Sequence, residues 1–309
     1  MQAVEKFAGD IIKSLEALET ASGTRAGSVF DDFLTATLLT LERLPDHLES
    51  ATTTGRLAEP TADETETFEK MHDRYSRIRD IDCRDYFAPA LNALLESTAY
   101  GYMDVLGVVY MRYGYPGEGQ VFTPFPVARM MAQMTIGDAQ DLHTHIKEAI
   151  AQSPLSEAAL MSAMAIDDSD EAKGWFLERV IPAALPHFEP IRVSDPCVGS
   201  GTMLLAAASV YPQWAVQRGL VQFYGQDIDA TCVAMAKINA RLYGLNGERI
   251  KYALAMSDAE LERAVPEPWG EMYAEAKAAK EKGDNGRVSE IEQAMREGKH
   301  AQFEQLVAF

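Results

Sequence analysis

Three short stretches hold the residues best placed to do chemistry. In the first, 193–205, an apolar strand pattern runs into Asp195-Pro196-Cys197-Val198-Gly199-Ser200-Gly201 and then into a helical run. Glycines in such a turn let the backbone come close to a ligand, because they carry no Cβ. The C-terminal edge of a parallel sheet is where nucleotide-like ligands sit. The turn contains neither G-K-[ST] nor G-x-G-x-x-G, so it is not a P-loop or a dinucleotide fingerprint. On the glycines alone, a purely structural turn is the rival. In the second stretch, a strand pattern at 221–226 ends in Asp227-Ile228-Asp229. A carboxylate at that strand tip can accept hydrogen bonds from both hydroxyls of a ribose. Ile228 offers an apolar contact for an adenine ring. Helix capping is the competing role for either aspartate. Asp229 directly precedes a helical run and suits capping, which leaves Asp227 as the better ligand candidate. The third stretch is Gly119-Gln120-Val121-Phe122-Thr123-Pro124, a turn that leads into a helix through a proline.

These stretches need elements to hold them. Residues 1–115 read as helical. Phe30, Phe33, Leu34, Thr37, Leu38 and Leu41 recur at helical spacing, with Pro45 expected as a stop. Residues 52–67 read as a loop, and Phe68, Met71, Tyr75 and Ile78 share a face of the next helix. A further helix is expected over 88–113, and Gly114 to Gly119 then breaks the pattern. Short helices follow at 127–135 and 172–185. Strands at 191–194, 221–226 and 250–254 alternate with helices at 202–210 and 230–243. That alternation predicts an α/β parallel sheet. The expected organisation is a helical N-terminal domain at 1–115, an α/β domain at 116–257 and a charged helical tail at 258–309.

Composition narrows the function classes. The 309 residues carry a net charge of −19, which repels a phosphate backbone, so strong DNA grip would come from a partner chain. The three cysteines, Cys83, Cys197 and Cys232, form no C-x-x-C pair, which argues against a disulfide framework or structural zinc. His143 and His145 stand as H-x-H without a third ligand, so no metal site is expected. The first residues mix charge with apolar side chains and lack a signal-peptide core. No apolar run is long enough to span a bilayer. A soluble, cytoplasmic protein is the expectation.

Taken together, the three stretches resemble the N6-adenine DNA methylases, in particular the methylation subunits of type I restriction-modification systems. Residues 119–124 are similar to that family's motif X, G-Q-[FY]-[FY]-T-P, with Val121 in place of the first aromatic. Residues 195–201 are similar to motif I, D-P-x-x-G-S-G, and residues 225–229 to motif II. Residues 239–245 (NARLYGL) match the family's N-x-x-L-x-G-[IL] helix end. The order X, I, II is that of the γ class. The resemblance implies a Rossmann-like methyltransferase sheet that takes S-adenosylmethionine as cofactor. Phe122, Thr123 and Pro124 would lie at its methionine part. Asp195, Pro196, Gly199, Ser200 and Gly201 would shape the loop beneath it. Asp227 would bind the ribose and Ile228 the adenine. DNA and a partner subunit are the implied partners.

The chain also departs from the family. The catalytic tetrapeptide [DNS]-P-P-[YFW] does not occur in these residues. Its nearest substitute is Pro266-Glu267-Pro268-Trp269, where Glu interrupts the prolines and no strand pattern precedes them. The third strand pattern runs into Ala253-Leu254-Ala255-Met256 where the family places an acidic or polar residue, and Asp258 beyond it either substitutes or, the better reading, begins a helix. Two functions therefore compete. One is a DNA adenine-N6 methyltransferase, or a subunit of one, whose catalytic or recognition loop comes from a partner. The other is a catalytically inactive module that binds the cofactor and scaffolds or regulates a partner. A methyltransferase acting on protein or RNA is a third option, disfavoured by the motif X sequence.

Overall fold

The structure, a computed structural model, describes residues 2–76, 81–113, 122–137, 139–166, 168–245 and 250–252. Met1–Ile250 form one compact unit and Lys251–Phe309 a second.

Five helices open the first unit: α1 (Gln2–Ser22), α2 (Ala26–Thr54), α3 (Ala62–Tyr75), α4 (Arg84–Ser97) and α5 (Val105–Tyr113). Each is amphipathic in the expected way. Phe7, Ile11, Leu15 and Leu18 line the buried face of α1, and Phe30, Phe33, Leu34 and Thr37 that of α2. Met71 and Tyr75 are buried on α3 with Phe68 packed beside them, whereas Ile78 lies outside the described residues. Burial of each large apolar side chain contributes about 1.5–3 kcal/mol, which is ample to organise helices of this length.

Two boundaries differ from the sequence expectation. Helix α2 runs through Pro45 to Thr54 rather than stopping. A proline removes one backbone hydrogen bond, a local cost that the helix tolerates here. Arg43 bonds the Glu59 carbonyl and Glu64, and Thr53 and Thr54 bond back to the Glu49 and Ser50 carbonyls. The loop expected at 52–67 is accordingly shorter, and Thr61 and Glu64 close a reciprocal capping box at the start of α3. The single helix expected at 88–113 is two helices. Gly101 adopts φ 87°, a conformation that ends the first, and the Asp104 carboxylate accepts the Gly107 N–H in the first turn of α5.

The second half begins with α6 (Phe125–Ile136), α7 (Gln140–Ala151), α8 (Pro154–Met164) and α9 (Ser169–Trp175). A π turn at Phe176–Val180 joins α9 to α10 (Ile181–Ala184), so the helical run expected at 172–185 is present with a bulge. His143 and His145 lie on α7, and His145 Nδ1 is 2.9 Å from the Glu189 carbonyl oxygen. The α/β alternation then appears as β1 (Ile191–Asp195), α11 (Thr202–Ala208), α12 (Gln213–Gln217), β2 (Val221–Asp227), α13 (Ala230–Tyr243) and β3 (Ile250–Tyr252). Strands β1 and β2 pair in parallel, with Ile191 opposite Val221 and Asp195 opposite Gly225, and the sheet order is β1-β2-β3. Among the described residues the molecule is thus mostly helical around a small parallel sheet.

Apolar packing joins the helices to the α/β elements. Cys232, Met235 and Ile238 of α13 are buried in the same hydrophobic core as α1 to α5. Helix α6 packs on α11 through Ala128, Ala132 and Ala206, small residues that let the two helices approach closely. No helix among the described residues is long and apolar enough to cross a membrane.

Candidate cofactor-binding site

The parallel register brings the C-terminal ends of β1 and β2 side by side, and with them Asp195 and Asp227. Beyond β1 the chain turns tightly. Asp195 Oδ1 accepts the Cys197 N–H at 3.0 Å, Val198 N–H bonds the Gln226 carbonyl at 2.9 Å, and Gly201 N–H bonds the Val198 carbonyl at 2.8 Å. Gly199 and Gly201 sit at φ 51° and 90°, which L side chains rarely adopt. Space is tight at Gly199, where a Cβ would lie 3.1 Å from the Phe122 ring, and ordinary at Gly201, where one would lie 3.4 Å from Ala236 Cα, so backbone conformation is the stronger reason for glycine at both. At the neighbouring strand end, a Cβ on Gly225 would fall 2.8 Å from Val198.

Asp227 is locked to this turn. Its Oδ2 accepts the Gly199 N–H at 2.9 Å and its Oδ1 accepts the Asp229 N–H at 3.0 Å. Each oxygen retains a second lone pair for a further donor. Asp227 is half-buried, whereas Ile228 beside it is 73% exposed. Burial pushes the Asp195 carboxyl above its ordinary range; the Cys197 N–H opposes this and the nearby Asp227 charge reinforces it. Asp229 takes the capping role expected from its sequence position, accepting the Thr231 N–H at 2.8 Å.

Phe122 to Pro124 reach the turn from the other side. The Phe122 ring rests against Gly199 and stacks on Tyr110, with centroids 5.3 Å apart and planes at 21°. Phe122, Thr123 and Pro124 border a cleft of about 420 Å³ whose walls include Tyr102, Asp104 and Gly107. Pro196 is exposed at the turn. Ser200 belongs to the same turn but faces inward: it is 1% exposed, and its hydroxyl donates to Asp104. Gly119, Gln120 and Val121 lie outside the described residues, as do Asp258 and the candidate loop Pro266, Glu267, Pro268 and Trp269.

The sequence alone did not single out the groups behind the turn. Asp104, 6% exposed, accepts from Ser200, Thr202, the Gly107 N–H and Asn239. Asn239 also donates to the Ser200 carbonyl at 2.8 Å, and Tyr110 donates to Asp229 at 3.2 Å. Asn239 stood within the helix-end pattern, but nothing in that pattern names its partner. A lone aspartate ahead of an apolar helical run signals a cap and no more.

Residues 178–275 match the N-6 DNA Methylase family. A solved methyltransferase subunit of a type I restriction-modification system from Streptococcus thermophilus is similar at 13% identity and a TM-score of 0.41. That similarity covers 86% of this chain and 61% of the solved one, so the chain spans about three fifths of that protein's length. No curated protein matches. The segment that contains β1, the glycine turn and β2 therefore carries an N-6 DNA Methylase family domain.

Proposed function

We propose that this protein binds S-adenosylmethionine through Phe122–Pro124, residues 195–201 and residues 227–228, and serves adenine-N6 methylation of DNA. The observation that carries this proposal is the lock between Asp227 and the glycine turn. It presents a half-buried carboxylate, an exposed isoleucine and a Cβ-free backbone at one strand edge. That set suits an adenosine. Asp227 offers two oxygens with unused lone pairs to the ribose hydroxyls, and Ile228 offers an apolar contact to the base. Gly199 and Gly201 supply the left-handed backbone of the turn, and Phe122 to Pro124 close the site from the α6 side. When bound, S-adenosylmethionine supplies an activated methyl group. The protein's own task is then to place that group in line with a nucleophile.

The 309 residues contain no adjacent pair of prolines, so the family's catalytic tetrapeptide must come from outside them for transfer to occur. The net charge of −19 likewise argues that the grip on DNA lies outside these residues. A partner subunit is therefore part of this proposal. The same two observations favour a second function, a cofactor-binding module that scaffolds a partner without transferring a methyl group.

Calorimetric titration with S-adenosylmethionine tests the shared element. Micromolar binding is expected, and Asp227→Ala should weaken it at least about tenfold, the loss of a hydrogen bond to a charged group. Absence of binding by the wild-type protein would remove both functions. A labelled-methyl assay on duplex DNA, with and without a candidate partner subunit, then separates them.

A further inference from the structure

We infer that Asp104 is a positioning residue for the cofactor loop, through which the N-terminal helices set the shape of the site. This rests on the cofactor reading above. Asp104 belongs to the N-terminal helical part in sequence, yet three of its four donors come from the α/β part. The Ser200 hydroxyl donates to Oδ2 from the glycine turn, and the Thr202 hydroxyl donates to the same oxygen from the first residue of α11. The Asn239 amide donates to Oδ1 at 3.1 Å from α13. The fourth donor, the Gly107 N–H at 2.9 Å, ties the carboxylate to its own helix.

All five residues have reason to be where they are. Asp104, Ser200, Thr202 and Asn239 are each 6% exposed or less, so water does not compete for these bonds. Gly107 has no Cβ because one would collide with the Asp104 carboxylate and lie 2.8 Å from the Ser200 hydroxyl. Asn239 bonds both Asp104 and the Ser200 carbonyl, so it holds the turn from its backbone as well as through the carboxylate. One helical turn further along α5, Tyr110 bonds Asp229 and stacks on Phe122, whose ring lies against Gly199. Positions 104, 107 and 110 therefore form one edge of α5 that meets the loop, the α13 cap and the 122–124 segment together. Asp104 touches no reacting atom in this scheme. It acts by fixing the Ser200 and Thr202 side chains, and with them the turn at 199–201.

Chemistry separates this role from general stability. Asparagine at 104 can accept from Gly107 and Asn239 through its oxygen and donate its amide to the Ser200 and Thr202 hydroxyls, which accept as readily as they donate. Asp104→Asn should therefore keep the geometry that Asp104→Ala loses. The test is S-adenosylmethionine affinity, read well below the melting temperature, in wild type, Asp104→Ala, Asp104→Asn and the remote control Asp32→Asn. The expected result is a weakening of at least about tenfold in Asp104→Ala, recovery to within about threefold in Asp104→Asn, and no change in Asp32→Asn. Hydrogen exchange without cofactor is read in parallel and should quicken selectively over 196–205 in Asp104→Ala. Unchanged affinity and uniform exchange in Asp104→Ala would overturn the proposal. If the wild-type protein binds no S-adenosylmethionine, the cofactor reading falls. The exchange pattern then decides by itself whether Asp104 holds the loop.

Discussion

Asp32 and Asp104 are both buried carboxylates, at 8% and 6% exposure, and they sit in opposite settings. Asp32, on α2, takes both oxygens to the Arg74 guanidinium of α3, and Oδ2 also accepts from the Tyr75 hydroxyl at 2.7 Å. Its partners are consecutive residues on one helix, so the cluster pins two neighbouring helices and nothing else. Asp104 has no cation among its recorded donors, which are two hydroxyls, an amide side chain and a backbone N–H drawn from α5, the glycine turn, α11 and α13. The contrast teaches that buried charge serves two ends here. An ion pair with a half-exposed arginine braces the helical part locally. A carboxylate held by neutral donors gathers segments that are distant in sequence.

Substitutions on the Asp104 side should have the largest effects. Gly107→Ala sets about 1 kcal/mol of improved helix propensity against a Cβ that meets the Asp104 carboxylate and the Ser200 hydroxyl. Overpacking of that kind costs about 1–3 kcal/mol, and the pinned carboxylate cannot yield cheaply, so a net loss of about 1–2 kcal/mol is expected. Denaturant unfolding measures it, and a neutral or stabilising result would show that Asp104 is free to move. Cofactor affinity should fall in the same variant.

Asp32→Ala should cost about 1–2 kcal/mol in the same experiment and leave cofactor affinity unchanged. The fully buried Tyr75 hydroxyl loses its acceptor, whereas the Arg74 side chain, 42% exposed, regains water. A loss of cofactor binding in Asp32→Ala would erase the distinction between the two carboxylates. The pH dependence sharpens it further. Burial outweighs the lowering by Tyr75 and Arg74, so the Asp32 carboxyl titrates above its ordinary 3.8. The folded state then holds that proton more tightly than the unfolded chain. The group's contribution is full below 3.8 and is lost as pH rises through its folded pKa. Wild type minus Asp32→Asn stability, followed upward from pH 3.8, should show this decline, and a rise would contradict it.

The smallest effect is a chemical footprint. The Cys197 thiol is exposed in the turn, whereas Cys83 and Cys232 are buried. Burial pushes the Cys83 thiol up to about 11 and the Cys232 thiol higher still, so both remain protonated near neutrality. Native alkylation followed by mass spectrometry should label Cys197 first, and S-adenosylmethionine should slow that labelling. Equal labelling with and without cofactor would place the ligand away from the turn.

Much of this arrangement was legible before the structure. Strand patterns at 191–194 and 221–226 reappear as β1 and β2, and the helical run at 230–243 as α13 with Asp229 as its cap. Period-two alternation suffices for the strands, half-buried against exposed along β1 and buried against half-buried along β2. The failures fall where a local signal met a tertiary one. Pro45 reads as a stop, yet α2 continues past it to Thr54. The stretch 88–113 reads as one helix, yet it breaks at Gly101 so that Asp104 can turn inward.

By itself, the sequence determined which residues could meet a ligand: the glycines at 199 and 201, the carboxylate at 227 and the isoleucine beside it. Their types and spacing are local properties, and the conformations they require follow from steric limits on a few bonds. Only the tertiary structure decided what holds them. Asp104 meets Ser200 across 96 residues and Asn239 across 135, and no local pattern encodes a partner at that distance. That choice was made by packing, which brought α5, the turn, α11 and α13 together around one buried carboxylate.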